Sequence, residues 1–339
     1  MGKNSYENIN YSVRPGKAIE RKMLIELMQR LSLFDKIENY QYVGFGSTYF
    51  TDFTLIHKNL GVKKMISIEK DIHNQSRFMF NVPFSCIKME FHDSNDILPN
   101  IDWHNCPSIL WLDYDDKLEA SMFKDVQTYV ANALSGSLFF ISVNAHPFDY
   151  SPSMSPDEIK EFRLKTLIDK VGDEKVSSGI NGSELNLGGL SKVYQEMIND
   201  EINSVLRIRN NSKSDDNPEK LFYKQLVNFT YRDGAKMLTV GGIIYSKSQE
   251  NQFSAASFDD LEFYRDGNES FDIKVPNLTF RELYKLDSLL PSNLNPETGE
   301  FKDESFEETQ KIEEFIPLVD ALKYSKIYRY FPAFTESVL

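Results

Sequence analysis

Between residues 40 and 144 the chain alternates short, almost wholly apolar runs with segments of helical periodicity. Runs this apolar indicate strands buried on both faces, which is typical of a parallel sheet covered by helices. Right-handed crossovers bring the carboxyl ends of such strands to one edge, where ligands bind. The sequence therefore predicts an α/β, Rossmann-like, doubly wound and mostly parallel sheet, built from runs at 40–46, 65–69, 86–91, 108–113 and 136–144.

Two segments are expected to complete this sheet domain, which we place at residues 38–250. Asp233-Gly234 separates two β-rich runs, at 225–231 and 236–245, and predicts a C-terminal antiparallel β-hairpin. The polar stretch from about 146 to 220 interrupts the strand pattern, and we interpret it as a helical insertion or a lid.

The sheet domain is flanked on both sides. Apolar residues at helical spacing follow Pro15, so residues 1–37 are expected to form an N-terminal helical cover. Residues 251–339 are assigned to a C-terminal extension. Within it, Thr279 and Glu282 have the spacing of a capping box and predict the start of a helix.

Composition restricts the classes of function. The chain has 339 residues, 41% hydrophobic content and a formal net charge of −13, which argue for an ordinary globular protein and against broad binding to nucleic acid or anionic membranes. Cys86 and Cys106 are too few for a disulfide framework and lack zinc-site spacing, so free thiols and no metal site are expected. With no signal peptide or long apolar run, we expect a cytoplasmic protein.

The first strand ends in the turn Gly44-Phe45-Gly46-Ser47, which could let a ligand approach the backbone closely. A plain strand-to-helix turn is the alternative. Glu69, with Lys70 beside it, ends the second strand 23 residues after Gly46, close to the spacing at which a Rossmann-type acid binds a ribose diol. The alternative for Glu69 is a solvated acid paired with Lys70.

Acidic side chains also follow the third and fourth strands. Asp93 could accept from a base amino group or simply cap a turn. Asp113-Tyr114-Asp115-Asp116 follows a buried strand, and its three crowded carboxylates favour raised pKa values or a cationic partner. We predict a substrate-orienting or general-base role for them, with an acidic helix-capping loop as the alternative.

These positions together resemble class I S-adenosylmethionine-dependent methyltransferases. The resemblance covers residues 38–145 and 225–246, and it departs from the family at Tyr42, where an acid is usual, and at Ser47, which stands where the turn usually continues towards a third glycine. It implies S-adenosylmethionine as cofactor, with the methionine part at the first-strand turn, the ribose at Glu69 and the adenine at Asp93 and Ser94. The end of the fourth strand would face the reacting atom.

The acceptor is not defined by the sequence. Arg14, Lys17 and Arg21, on the helix before the sheet, could bind a carboxylate or phosphate, with a solvated helix face as the alternative. Asn144 could line the pocket, with a structural turn as the alternative. The acceptor, at oxygen or nitrogen, could be a small molecule, a protein or RNA, and the chain could work as a homo-oligomer or with a partner subunit. Two other functions stay open: a non-catalytic ligand-sensing or interaction module, and another Rossmann-type nucleotide or NAD enzyme.

Overall fold

The computed structural model describes residues 14–332 except 296, 298–299, 303–309 and 312–315. An eight-stranded sheet in the order β3-β2-β1-β4-β5-β7-β6-β8 forms its centre. The strands are β1 (Gln41–Phe45), β2 (Lys64–Glu69), β3 (Ile87–Phe91), β4 (Ser108–Asp113), β5 (Ser137–Asn144), β6 (Leu221–Asp233), β7 (Ala235–Ser246) and β8 (Phe271–Ile273).

Strands β1 to β5 are parallel, and β7 pairs antiparallel with β5. The hairpin of β6 and β7 turns at Gly234, whose φ of 108° is a conformation that favours glycine. The predicted doubly wound sheet with a late antiparallel hairpin is therefore confirmed. β8 pairs parallel with β6 and extends the sheet beyond what the sequence indicated.

Helices cover both faces of the sheet, as its apolar strands require. The helices are α1 (Pro15–Gln29), α2 (Thr51–Leu60), α3 (Gln75–Asn81), α4 (Ser94–Ile97), α5 (Ala120–Asn132), α6 (Pro156–Val171), α7 (Leu190–Arg209), α8 (Glu250–Ala256), α9 (Phe280–Asp287) and α10 (Leu318–Ser325). Alternate strand residues point to opposite faces: Tyr42 and Trp111 pack in the cluster with α1 and α2, whereas Val43 and Leu110 pack with α5 and α7. Thr279 and Glu282 form the predicted capping box of α9.

The segment at 146–220 does not behave as one unit. α7 packs against α5, β6 and β7, and Tyr194, Ile198 and Ile202 on it are fully buried. This helix is thus part of the sheet's own cover, because its apolar face has no other place to be buried. α6 buries only Leu167 and Val171, so the more exposed part of the predicted insertion lies there.

The two ends of the described chain meet on one face. α1 packs on α2 and β6, and the segment Tyr328–Tyr330 packs against α1. Of the N-terminal cover predicted for residues 1–37, residues 1–13 lie outside the described part. A small antiparallel sheet is formed by β9 (Asn293–Leu294), β10 (Glu300–Lys302) and β11 (Gln310–Lys311). Among the described residues, no helix combines the length and the apolar character needed to cross a membrane.

Candidate cofactor and acceptor site

A cleft of about 810 Å³ opens at the carboxyl ends of the parallel strands. The segments after β1, β2, β3 and β4 all contribute to it, because a parallel sheet places these ends at one edge. Of the residues predicted for the site, the cleft is lined by Phe45, Gly46, Ser47, Glu69, Lys70, Asp93, Ser94, Asp113, Tyr114 and Asp115. Ile68 and Met122 add apolar surface.

The turn after β1 needs its glycines for close packing. A Cβ on Gly46 would lie 2.1 Å from Ser67 Oγ, and one on Gly44 would lie 2.6 Å from the hydroxyl oxygen of Tyr42. Real Cβ atoms do not come this close to other atoms, so a side chain at either position would displace Ser67 or Tyr42, or shift the turn. Gly44 itself does not line the cleft; it lets the buried Tyr42 ring sit beneath the turn.

Glu69 ends β2 half-buried on the floor of the cleft. Its Oε1 accepts a hydrogen bond of 2.9 Å from the backbone N–H of Asp71. Burial raises the pKa of Glu69 to about 7, and the N–H of Asp71 offsets only part of this effect. A carboxylate that has lost much of its hydration is suited to accept two hydroxyl hydrogen bonds from a ligand.

Beyond β3, polar groups of the cleft are tied to Asp125 of α5. Asn95 Nδ2 donates to Asp125 Oδ1 at 2.5 Å, and the hydroxyls of Ser94 and Tyr114 both donate to Asp125 Oδ2. This buried carboxylate therefore fixes the loops after β3 and β4 relative to each other. Asp93, by contrast, is exposed at the cleft and precedes α4.

Asp113, at the end of β4, faces a buried cation. Lys17 Nζ donates to Asp113 Oδ1 at 2.6 Å and lies 2.7 Å from Glu20 Oε2. Burial alone would raise the pKa of Asp113, but the Lys17 ammonium outweighs it, with help from Arg21, and the pKa lies below its ordinary value. Asp113 is thus an anion that hydrogen-bonds well and binds protons weakly.

Tyr114 and Asp115 differ from Asp113 in their surroundings. The Tyr114 ring meets the edge of Phe45 at 4.9 Å, and burial raises the pKa of its hydroxyl well above the usual value. Tyr114 therefore stays protonated and donates to Asp125 rather than accepting a proton. Asp115 is exposed at the mouth of the cleft.

A second ion pair borders the cleft beside the β1 turn. Arg21 of α1 donates through Nε and Nη2 to the two carboxylate oxygens of Asp52, at 2.5 and 3.4 Å. Both side chains line the cleft. The pair offers a guanidinium and a carboxylate next to each other, which matches the carboxylate and ammonium of an amino acid.

Three of the predicted substrate-binding residues do not line the cleft. Arg14 lies 3.8 Å from Asp233, and the ammonium of Lys17 is enclosed by Asp113 and Glu20. Asn144 uses its side-chain oxygen to accept the backbone N–H of His146, which forms a local turn.

Sequence reasoning missed two residues of the site, Asp52 and Asp125. Arg21 belongs to the cationic face of α1 that the sequence indicates, and of that face it is the residue that lines the cleft. Nothing local marks Asp52, whose partner Arg21 lies 31 residues away, or Asp125, which joins Ser94 and Asn95 to Tyr114. Within the part of the chain that the structure describes, no cluster of His, Cys, Asp and Glu side chains could hold a metal ion.

The cleft fits S-adenosylmethionine by the chemistry of its groups. Glu69 accepts hydroxyl donors, Phe45, Ile68 and Met122 offer apolar surface to a base, and Arg21 with Asp52 complements an amino-acid end. The strand order β3-β2-β1-β4 brings the segments that carry these groups to the same edge of the sheet. This fold and cleft are typical of class I methyltransferases.

Comparison with known proteins identifies the family. Residues 9–339 match the model of a family described as "Putative O-methyltransferase", so the chain belongs to that family. No curated protein sequence matches the chain significantly.

Solved structures match the chain at low similarity. A LepI complex with SAM is 10% identical, with 60% of this chain and 43% of that chain covered and a TM-score of 0.33. PigF with SAH is 10% identical over 66% of this chain and 65% of that chain, with a TM-score of 0.31. Cofactor-bound Rv0187 from MTB is 9% identical over 65% and 80%, with a TM-score of 0.34. The match thus spans less than half the length of LepI, and the strand order identifies the fold independently.

Proposed function

We propose that this protein transfers the methyl group of S-adenosylmethionine to an oxygen atom, and that Asp113 receives the acceptor's hydroxyl. The family description supports oxygen as the acceptor atom. The observation that carries the proposal is the position of Asp113, an anionic carboxylate at the end of β4 in the same cleft as Glu69 and Arg21.

The cofactor arrangement follows the strand ends. Glu69 accepts the two ribose hydroxyls, and Asp93 accepts from the adenine amino group. Ser47 and the backbone of Phe45 and Gly46 border the methionine part, whose carboxylate pairs with Arg21 and whose ammonium pairs with Asp52. The acid that the family usually carries in β1 is Tyr42 here, and Asp52 from α2 supplies a negative charge on the other side of the turn.

Methyl transfer to a hydroxyl needs alignment and a place for one proton. When bound, S-adenosylmethionine would supply the methyl group: its sulfur would keep the electron pair of the broken sulfur–methyl bond as the oxygen–methyl bond forms. The hydroxyl proton passes to Asp113 and then to water. A carboxylate with a lowered pKa is sufficient for this, because an alkylated hydroxyl that still carries its proton is a far stronger acid than a carboxylic acid.

The charge of the cleft bears on the kind of acceptor. The cleft carries many acids, among them Asp93, Asp115 and Asp116, which favours a small-molecule or protein acceptor over RNA.

The free thiols of Cys86 and Cys106 are consistent with a reducing compartment such as the cytoplasm. Residues 38–250 would form the methyltransferase unit, with α1 and the segment after residue 250 packed onto it.

Calorimetric titration with three ligands tests the cofactor assignment. S-adenosylhomocysteine and methylthioadenosine are both expected to bind, and NAD is not. Methylthioadenosine lacks the amino-acid end, so Arg21→Gln is expected to weaken S-adenosylhomocysteine about 10- to 100-fold and to leave methylthioadenosine unchanged. Arg207→Gln, at an exposed site on α7, is the matched control and should change neither affinity.

The same titration can contradict the proposal in three ways. Binding of NAD alone would show another class of Rossmann enzyme. Absence of binding by all three ligands would favour a non-catalytic module. Equal weakening of both adenosine ligands by Arg21→Gln would remove the methionine-end role of Arg21.

A further inference from the structure

Lys17 is a deeply buried cation that contacts Asp113 of the candidate site. Only 1% of its side chain is exposed, and its ammonium lies 4.4 Å from the centre of the Trp111 ring. A lone ammonium in such a place would lose its hydration at great cost, so it must be balanced by nearby anions. Glu20, one helical turn further along α1, and Asp113 provide that balance.

The two carboxylates that share Lys17 are not equivalent. Glu20 is fully buried beneath the site, whereas the Asp113 side chain is 21% exposed and lines the cleft. Burial raises the pKa of Glu20, and the Lys17 ammonium offsets this only in part. For Asp113 the balance is reversed, and its pKa is lowered. Of the two carboxylates, Glu20 therefore takes up a proton before Asp113 does.

The position of Lys17 is fixed from outside the cleft. Its backbone N–H and that of Gly16 donate to the carboxylate of Asp233 at 2.9 and 3.1 Å, which anchors the start of α1 to the β6–β7 turn. Glu20 then holds the ammonium from the far side, away from the cleft. The ammonium is left with one partner that faces the ligand, namely Asp113.

We propose that Lys17 is a positioning residue: seated by Glu20 and the β6–β7 turn, it keeps the Asp113 carboxylate charged and oriented toward the methyl acceptor. Lys17 does not contact cofactor or acceptor in this arrangement. It takes the place of the water that would otherwise solvate one oxygen of Asp113, and it leaves the other for the acceptor hydroxyl. The role at the acceptor rests on the proposed function, whereas the hold on Asp113 does not.

Other charged groups face Asp113 and set the background for its titration. These are Arg14, Glu20 and Arg21 from α1 and its start, Tyr42 from β1, Asp52 from α2 and Tyr231 from β6. Lys17 is the cation in direct contact, at 2.6 Å. Its removal leaves a buried carboxylate whose desolvation is no longer offset by a cation at hydrogen-bond distance.

Carbon-13 NMR of aspartate carboxyl groups tests this directly, with the Asp113 signal assigned by its absence in Asp113→Asn. Between pH 4.5 and 8 the signal of the native protein is expected to stay at the ionised position. In Lys17→Met it is expected to titrate inside that range, a shift of at least one pH unit. Lys17→Arg should restore the native behaviour, because the positive charge returns. Lys22→Met, on the same helix but bonded to Phe331, should have no effect.

The outcomes separate this proposal from the proposed function. Titration of Asp113 within this range in the native protein, or no change in a folded Lys17→Met variant, would overturn the role of Lys17. Where Lys17→Met does not fold, Lys17→Gln serves as the second variant with the same expectation. S-adenosylhomocysteine should bind the native protein and Lys17→Met with affinities within threefold; failure of the native protein to bind it contradicts the proposed function and leaves the Asp113 titration valid.

Discussion

At the scale of single residues, the site depends on carboxylates whose environments make them chemically different. Glu69 has a pKa raised to about 7 by burial, whereas Lys17 lowers the pKa of Asp113. Both are acids that follow strands of one sheet. Asp113 has a cation, Lys17, at 2.6 Å and further help from Arg21, whereas Glu69 has no cation at hydrogen-bond distance among the described residues.

We predict that cofactor affinity follows the ionisation of Glu69. Only the ionised form accepts two ribose hydroxyls, so affinity for S-adenosylhomocysteine should fall up to about tenfold per pH unit as the pH drops below 7, and level off above it. Glu69→Gln should bind weakly and lose this pH dependence. Calorimetry between pH 5.5 and 8.5 measures both effects, and an unchanged pH profile in the variant would exclude Glu69 as the titrating group.

The same shift has a consequence for stability with the opposite sign. A pKa raised in the folded state means that protonated Glu69 favours folding; this contribution is present below the ordinary pKa of 4.5 and is lost as the pH rises through 7. Glu69→Gln should therefore raise the Tm of the ligand-free protein at pH 8, where its free energy of unfolding should increase by a value on the order of 2 kcal/mol. This gain should shrink towards pH 5. Cofactor binding and apo stability thus make opposite demands on Glu69.

At the scale of elements, α1 is fixed by acids from three different parts of the fold. Asp233 ends β6, Asp113 ends β4 and Asp52 lies in the first turn of α2. They meet Arg14, Lys17 and Arg21. The N-cap residue of α1, Arg14, provides no side-chain cap. The carboxylate of Asp233 therefore replaces a local cap and accepts two N–H groups at the start of the helix.

We predict that Asp233→Ala destabilises the protein by about 1–3 kcal/mol, because two N–H groups at a buried helix start lose their acceptor. Thermal and urea unfolding would measure the loss. Asp215→Ala is the control, since the Asp215 side chain is exposed and pairs with Lys220 near the surface. Similar stability of both variants would mean that water replaces the Asp233 carboxylate without cost.

At the scale of the whole molecule, the C-terminal segment is part of the main core. Tyr330 is 6% exposed, packs edge-on against Phe263 at 5.8 Å and donates to Glu26 of α1. The residues after 250 had been predicted as an extension of the sheet domain. Their packing on α1, together with β8 in the central sheet, connects them to the face that carries the site.

We predict that Tyr330→Ala lowers the unfolding free energy by about 3 kcal/mol and the Tm by several degrees, because it leaves a cavity in this shared core. Unfolding should remain a single transition by circular dichroism and by tryptophan fluorescence. Tyr284→Ala, 73% exposed on α9, should leave the Tm unchanged. Two separate transitions would instead show that the C-terminal segment unfolds as an independent domain.

The sequence by itself determined the sheet and the ligand edge. Apolar runs with turn residues between them depend on local chemistry, so the parallel strands, the Asp233-Gly234 hairpin and the acids at the strand ends could be read from residue order. The tertiary structure alone decided the ion pairs. Lys17 lies 96 residues from Asp113 and its backbone N–H lies 216 residues from Asp233, and no local pattern specifies which charges meet across the sheet. That pairing places Lys17 behind Asp113 rather than in the cleft, where its charge alone had suggested a role in binding substrate.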